Sequence, residues 1–166
     1  MQREMGPFSH VDHSVISDWA RDGVSAVFKT TFGLNAVETS ALQRPEPSDE
    51  LIFSEIRFEG ALAVYLRLCI SAVGAARLAS IALSMPSAEI CDAHVDDLVG
   101  EMSNMVLGAI KSRVSDLGIP CRMLLPTVTR SQVIIPAAPS ESGSGMLYFR
   151  FEKHCLAVEL SVMHTA

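Results

Sequence analysis

The sequence has 166 residues, which is close to the length of one average domain and leaves little room for two. Its 19 acidic and 13 basic residues give a formal net charge of −6 at pH 7. This acidic balance argues against nucleic acid and anionic membranes as the main partners. Hydrophobic residues make up 49% and charged residues 19%, which excludes the composition typical of disordered chains. We therefore expect one folded domain over residues 1–166, with residues 1–11 as a mobile N-terminus.

The sequence contains no apolar stretch of the roughly 20 residues that a membrane-spanning helix needs, because Arg67 and Arg77 interrupt the longest apolar runs. The N-terminus lacks the apolar core of a secretory signal, so we expect a cytoplasmic protein. Four cysteines are spread along the chain: Cys69, Cys91, Cys121 and Cys155. Their spacings of 22, 30 and 34 residues fit neither a zinc site nor a disulfide scaffold, which predicts free thiols.

The first predicted element is an amphipathic helix over residues 12–32. Apolar residues recur there at helical spacing, and Gly33 follows at the position of a left-handed helix cap. Residues 40–50 contain Pro45 and Pro47, which exclude regular structure around them. This segment is therefore predicted to be an exposed loop.

A β-hairpin and a short helix are predicted next. Residues 51–58 and 61–70 flank a Glu-Gly turn, and the second run alternates between large apolar residues and others. This alternation predicts a hairpin with one buried face. Ser71 is a suitable N-cap for a short helix that must end before Pro86.

A longer helix is predicted over residues 93–117, with Gly118 as its C-terminal stop. Three strands are predicted after it, over residues 123–135, 146–152 and 155–163. The predicted order is αββααβββ. We therefore expect an α+β fold in which helices pack on a largely antiparallel sheet.

The sequence lacks the common catalytic motifs for phosphate loops, zinc proteases, serine hydrolases and dinucleotide binding. We interpret residues 143–145, Gly-Ser-Gly, as a hairpin turn because they precede a predicted strand rather than a helix. His10 and His13 lie around the N-terminus of the first helix and are not expected to bind a metal. The remaining histidines are interpreted as surface or capping residues: His94, His154 and His164.

The long helix carries two contrasting sides. One side is apolar and is expected to dock on the core: Leu98, Val99, Met102, Met105, Val106, Ala109 and Ile110. Spacings of 4, 3, 4 and 3 residues place a narrow stripe on the opposite side: Asp97, Glu101, Asn104, Gly108 and Lys111. By itself, the spacing of these five residues is typical of a helix face that is exposed to solvent.

Two features of this helix indicate that it contacts another group and is not only exposed to solvent. Asn104 is an unfavourable residue inside a helix, and Gly100 and Gly108 each cost about 1 kcal/mol relative to alanine. Two such glycines on one helix indicate that another backbone or side chain comes close to it.

The pattern Asp97-x-x-x-Glu101-x-x-Asn104, with Pro126 22 positions after Asn104, resembles the signature of the CheC/CheX/FliY group. Members of this group are phosphatases of response regulators in bacterial chemotaxis. The resemblance is to the single-domain, CheX-like members and covers nearly the whole chain, including the first helix and the element order. It implies a CheC/CheX-like fold for the α+β domain.

The sequence departs from the group's pattern at two places. Arg130-Ser131 stands where the family often has a glycine after the proline, which puts the loop details in question. The first helix lacks the second E-x-x-N motif of the two-site members. We therefore expect one site per chain.

The resemblance implies that the substrate is a phosphorylated CheY-like response regulator of two-component signalling. It assigns water positioning to Asn104 and pairing with a receiver lysine to Glu101. Asp97, Gly108 and Lys111 are expected to contact the partner. The resemblance also implies a homodimer, no cofactor of its own, and a magnesium ion held by the receiver.

Two other functions stay open at this point. One is a non-catalytic binding module of the same fold, like the middle domain of flagellar motor-switch proteins, which binds or sequesters a regulator. The other is a small-molecule hydrolase or sensor, for which the sequence offers no nucleophile or pocket motif. The presence of both Glu101 and Asn104 favours the phosphatase.

Overall fold

The computed structural model of the chain describes residues 10–40, 50–132 and 144–165. Within these ranges it contains three α-helices: α1 (His13–Val27), α2 (Ala72–Leu83) and α3 (Asp92–Asp116). The same ranges contain seven strands: β1 (Val37–Thr39), β2 (Leu51–Gly60), β3 (Leu62–Ser71), β4 (Cys121–Met123), β5 (Thr127–Ser131), β6 (Ser144–Phe151) and β7 (His154–His164). None of these helices is both long enough and apolar enough to span a membrane.

The strands form one antiparallel sheet in the order β1-β6-β7-β3-β2-β4. β5 also pairs with β2, so β4 and β5 lie one after the other along the same edge of the sheet. The α+β class with a largely antiparallel sheet is therefore confirmed. The strand count differs from the predicted order αββααβββ, because the described residues hold seven strands and not five.

Two features account for the additional strands. The predicted strand over residues 123–135 is divided, because β4 ends at Met123 and β5 begins at Thr127. Pro126 has no N–H group for a strand ladder, and the amide of Leu124 donates to the Arg57 carbonyl oxygen at 2.9 Å. Strand β1 has only three residues, which is too short for an alternating pattern to show. Residues 133–135 lie outside the described residues.

The ends of α1 follow the sequence signals. The Asp12 side chain accepts a hydrogen bond from the Val15 amide, 3.1 Å away, and so caps the N-terminus. After Val27 the chain continues as a π-helical turn, Phe28–Phe32, which ends at Gly33 with a left-handed φ of 64°. Of the predicted mobile N-terminus, residues 1–9 lie outside the described residues, and Val11 is fully buried in the core.

The other predicted caps are also present. The Ser71 side chain accepts a hydrogen bond from the Gly74 amide at 3.1 Å, and α2 ends at Leu83 before Pro86. Helix α3 ends within one residue of its predicted C-terminus and is followed by Gly118 with a φ of 75°. These helix boundaries were predictable because capping depends on neighbours in the sequence.

The three helices and alternate residues of the central strands form one hydrophobic core. Strand β3 contributes five residues that are almost completely buried: Leu62, Val64, Leu66, Leu68 and Ile70. Helices α1 and α3 lie close together at Gly23, where an added Cβ atom would be 3.4 Å from the Val106 carbonyl oxygen. This core fixes α3 to the sheet and determines which side of α3 faces outward.

A buried ion pair joins the two central strands on the sheet face opposite to this core. Arg67 of β3 lies directly across from Glu159 of β7, and Arg67 Nη2 is 3.0 Å from Glu159 Oε2. The two side chains are only 8% and 10% exposed. The Arg67 guanidinium also lies 5.3 Å from the centre of the Phe53 ring. Each charge therefore depends on the other for compensation.

We predict that Arg67→Ala lowers the free energy of unfolding by about 3 kcal/mol, because it leaves the Glu159 carboxylate buried without its cation. The measurement is urea denaturation at pH 7. Arg77→Ala is the control, because it removes an ion pair with Glu152 whose side chains are 44% and 35% exposed. We expect this control to change the urea midpoint only slightly. Equal effects of the two substitutions would contradict the importance assigned to the buried pair.

Candidate functional site

Helix α3 presents the predicted polar stripe on its outward side. Its 25 residues dock on the core through Val95, Val99, Met102, Val106 and Ile110. Glu101 and Asp97 are exposed, whereas Asn104, Gly108 and Lys111 are partly exposed. The structure thus places the stripe on one accessible side of one helix, as the spacing predicts. The roles of its members stay predictions.

The buried side of α3 is turned slightly from the predicted one. Ser103 and Leu107 are completely buried, whereas Leu98, Met105 and Ala109 are only partly buried. This turn brings Asn104 closer to the edge where the helix meets the sheet.

Two buried serines explain this orientation of α3. The Ser103 hydroxyl donates to the Gly100 carbonyl oxygen at 2.8 Å. The Ser54 hydroxyl of β2, 2.6 Å from Ser103 Oγ, therefore donates to Ser103. Because both side chains are fully buried, losing this contact would leave polar atoms without partners. The serine pair fixes the rotation of α3 at the residue that precedes Asn104.

Gly100 allows the broken edge strand to approach the helix closely. A Cβ atom at Gly100 would lie 3.4 Å from Val128 Cγ2 and 3.7 Å from Pro126 Cγ. Gly100 and Asn104 are four residues apart, so they share one side of the helix in successive turns. The structure therefore brings Pro126 to the side of α3 that carries Asn104, although the two residues are 22 positions apart in sequence.

The side chains of Glu101 and Asn104 are not engaged within the described part of the chain, where no hydrogen bond or ion pair involves either of them. Residues i and i+3 of a helix are neighbours on its surface, about 5–6 Å apart at Cβ. A carboxylate and a neutral carboxamide thus stand side by side and can act on an external group. The carboxamide oxygen accepts a hydrogen bond and its NH₂ group donates, which allows it to orient a water molecule.

Arg130 anchors the beginning of α3. Its guanidinium lies 2.7 Å from Glu50 Oε2 and 2.8 Å from Asp96 Oδ1, and it also donates to the Asp92 carbonyl oxygen at 3.3 Å. Burial by itself lowers the pKa of Arg130, but the hydrogen bonds to Asp96 and Glu50 outweigh burial and hold the pKa above its ordinary value. Arg130 therefore stays charged and ties the first turns of the helix to the sheet.

The sequence marks Arg130 only as a departure from the glycine that the family often has there, and it does not indicate the anchoring role. The available signal was the strand alternation, since Arg130 lies two residues after Val128 and faces the same side as Val128. Its carboxylate partners are distant in sequence and carry no local signature.

Gly108 differs from Gly100. A Cβ atom at Gly108 would have no described atom within 4 Å. The expectation that another group comes close is therefore met at Gly100 within the chain itself, whereas no described group of the chain lies near Gly108. Contact between Gly108 and a partner stays a prediction.

The surroundings of the other potentially reactive side chains, His94 and the cysteines, indicate structural roles. The ring nitrogen Nδ1 of His94 accepts from the Cys91 amide at 3.2 Å, which confirms His94 as a capping residue. Burial raises the pKa of the Cys69 thiol to about 11, so this cysteine is a poor nucleophile at neutral pH. All four cysteines are free. Residues 10–40, 50–132 and 144–165 hold no cluster of three metal-ligand side chains.

The glycine-rich segment differs from the predicted turn. Gly145 lies within β6, and the imidazole of His13 packs so closely against it that an added Cβ atom would clash. Gly143 lies outside the described residues.

We predict that Gly108→Ala raises the free energy of unfolding by about 0.5–1 kcal/mol, because alanine is the better helix former and its methyl group enters open space. Urea denaturation measures this change. Gly118→Ala is the matched control and should be destabilising, because the left-handed φ of 75° at Gly118 is unfavourable for alanine. Destabilisation by Gly108→Ala would show that the space around Gly108 is not open.

A family model described as chemotaxis phosphatase CheX matches residues 52–152. The match covers more than half of the chain and includes β3, α2, α3, Pro126 and all of β2 except Leu51. A search of curated proteins by sequence finds no match.

Solved structures with the same fold are found at low sequence identity. The chemotaxis protein CheX of Vibrio vulnificus is 19% identical, with a TM-score of 0.75 over 89% of this chain and 96% of that one. A CheC-like superfamily protein of Shewanella sp. PV-4 is 21% identical, with a TM-score of 0.75 over 89% and 97%. A chain of the CheX-CheY-BeF₃-Mg²⁺ complex of Borrelia burgdorferi is 12% identical, with a TM-score of 0.70 over 89% and 97%. At these identities the likeness shows the fold.

Proposed function

This chain belongs to the CheX family of chemotaxis phosphatases, and we propose that it accelerates hydrolysis of the aspartyl phosphate on a CheY-like response regulator. The observation that carries the proposal is the presence of Glu101 and Asn104 on the accessible side of α3, with Pro126 next to Gly100, one helical turn before Asn104. The structure of a CheX-CheY complex from Borrelia burgdorferi supports the choice of partner.

In this proposal, Asn104 positions the attacking water. An aspartyl phosphate is an acyl phosphate and is already activated toward hydrolysis, so catalysis needs mainly a water held in line with the phosphorus atom. A neutral carboxamide suits this task because it adds no negative charge near the phosphoryl group. The helix backbone and the serine pair hold Asn104 in place before the partner binds.

In the same proposal, Glu101 orients the two proteins relative to each other. Its exposed carboxylate has no partner among the described residues and can form a charge-assisted hydrogen bond with a lysine of the receiver. Such a contact would fix the register of the two surfaces and so align Asn104 with the phosphoryl group. Asp97 and Lys111 extend the contact along α3, and the absence of a side chain at Gly108 permits close approach.

The magnesium ion of the reaction is assigned to the receiver. The ion would neutralise the phosphoryl oxygens there, while α3 would approach from the open side. Because the receiver holds the ion in this proposal, this chain needs to supply no metal ligand.

The proposal includes a cytoplasmic location and a homodimer. The sheet leaves two edges, β1 on one side and β4 with β5 on the other, and Val37 of β1 is exposed. Sheet edges of this kind are common surfaces for pairing with another chain. The dimer stays a prediction.

We predict that Asn104→Ala reduces the acceleration of receiver dephosphorylation by about 100-fold or more, because the water loses its positioning group. Binding of the phosphorylated receiver should change little, since water positioning matters chiefly in the transition state. The measurement is loss of phosphate from the response regulators of the source organism, with and without the chain. Asn35→Ala is the matched control, because Asn35 is the only other asparagine and is exposed outside α3.

Two outcomes would contradict the proposal. If Asn104→Ala retained the parent rate, Asn104 would not be the water-positioning residue. If the parent chain bound a phosphorylated receiver without accelerating its dephosphorylation, the chain would be the non-catalytic binding module considered as the alternative.

A further inference from the structure

Two serine hydroxyls face each other in the core between β2 and α3. Ser54 and Ser103 are the two polar residues of the described chain that have no exposed surface, and their Oγ atoms are 2.6 Å apart. Replacing both partners of a buried hydrogen bond by apolar groups of the same shape is often nearly neutral for stability. Stability therefore gives little reason for a serine pair at this place. A satisfied buried polar contact does, however, specify one orientation of the elements that it joins.

The contact between the two serines leads to the backbone that holds Asn104. Ser103 Oγ donates its proton to the Gly100 carbonyl oxygen at 2.8 Å, and Ser54 Oγ donates to Ser103 Oγ. Because α3 is α-helical over its whole length, the Gly100 carbonyl oxygen is also the acceptor for the Asn104 amide. Strand β2 is thus connected, through two side chains, to the hydrogen bond that fixes the backbone of Asn104.

This connection restricts rotation of α3 more than apolar packing does. Apolar contacts are not directional, and cores that lose specific contacts lose rigidity before they lose stability. A hydrogen bond weakens when its distance or its angle changes, so the serine contact resists rotation in both directions. A rotation of about 10° displaces a side-chain atom about 6 Å from the helix axis by about 1 Å. A displacement of this size can lower the rate of a reaction that depends on positioning about 100-fold.

We propose that Ser54 and Ser103 are positioning residues of the phosphatase reaction, and that their hydrogen bond sets the rotation of α3 that Asn104 needs to orient a water. The inference rests on the proposed function and adds to it a residue of the sheet, Ser54, outside the E-x-x-N motif. Both serines are completely buried, so neither touches the receiver. Their contact therefore acts on the turnover of the bound receiver and not on its binding.

The test is steady-state dephosphorylation of a phosphorylated CheY-like response regulator of the source organism by the full chain carrying Ser54→Ala. This substitution removes the connection between β2 and α3 but leaves no donor unpaired, because Ser103 still donates to Gly100. We expect kcat to fall about ten-fold, with little change in KM or in the urea midpoint. Ser17→Ala is the matched control, because it removes a buried serine of α1 whose hydroxyl lies 3.3 Å from His13 Nδ1. This control should keep the parent kcat.

A second measurement follows the orientation of α3 without the receiver. Gly100 lies against Val128, since a Cβ atom at Gly100 would be 3.4 Å from Val128 Cγ2. Nuclear Overhauser effects fall steeply with distance, so the effect between the Gly100 Hα protons and the Val128 methyl groups should weaken in Ser54→Ala. The Ser54→Ala/Ser103→Ala double variant should lose no more kcat than Ser54→Ala, because the two serines act as one pair.

Three results would overturn the inference, and they are distinguishable. A Ser54→Ala chain that keeps the parent kcat beside an active parent chain would refute the positioning role and leave the proposed function intact. An equal loss of kcat in Ser54→Ala and Ser17→Ala would show a general effect of disturbing the core. A parent chain that acts on no receiver would refute the proposed function and, with it, the catalytic role of the pair, even if the Overhauser effect weakens as expected.

Discussion

The close packing of α3 on the interrupted edge of the sheet is the constraint on which the candidate site depends. At Gly100 the helix comes so near to Val128 and Pro126 that an added Cβ atom would already contact both. The Ser54–Ser103 pair fixes the rotation of the helix, and Arg130 ties its first turns to the sheet. Together these contacts turn the polar stripe outward and set Pro126 next to Gly100, one turn before Asn104. A helix held less firmly would present the same residues without a fixed orientation.

This arrangement suits a reaction that needs positioning more than chemical assistance. Asn104 and Glu101 are adjacent on a rigid element, and neither is engaged by another described residue. The site has a cost in helix stability, since Asn104, Gly100 and Gly108 are all unfavourable residues inside a helix. That cost is understandable where a second protein must come close and a water must be oriented between the two surfaces. The covalent chemistry would belong to the receiver, with its aspartyl phosphate and its metal ion.

Much of the fold was predictable because it follows from local patterns. The limits of α3, the Ser71 cap and the left-handed residue at Gly33 all depend on residues that are near one another in sequence. The polar stripe was also predictable, because helical spacing alone places Glu101 and Asn104 together. In contrast, the break between β4 and β5, the buried serine pair and the partners of Arg130 depend on contacts between distant segments. The periodicity of a sequence does not reveal contacts between distant segments. The groups that orient the site are therefore apparent only in the folded chain.

The most direct test of the central claim is the structure of this chain bound to a CheY-like response regulator in the presence of BeF₃⁻ and Mg²⁺. The account predicts that α3 faces the phosphorylation site, with the Asn104 carboxamide within hydrogen-bond reach, about 2.7–3.2 Å, of a water in line with the beryllium–oxygen bond. It also predicts that the Glu101 carboxylate contacts a lysine of the receiver. A complex in which the receiver binds another surface, or in which Asn104 points away from the beryllium site, would contradict the account.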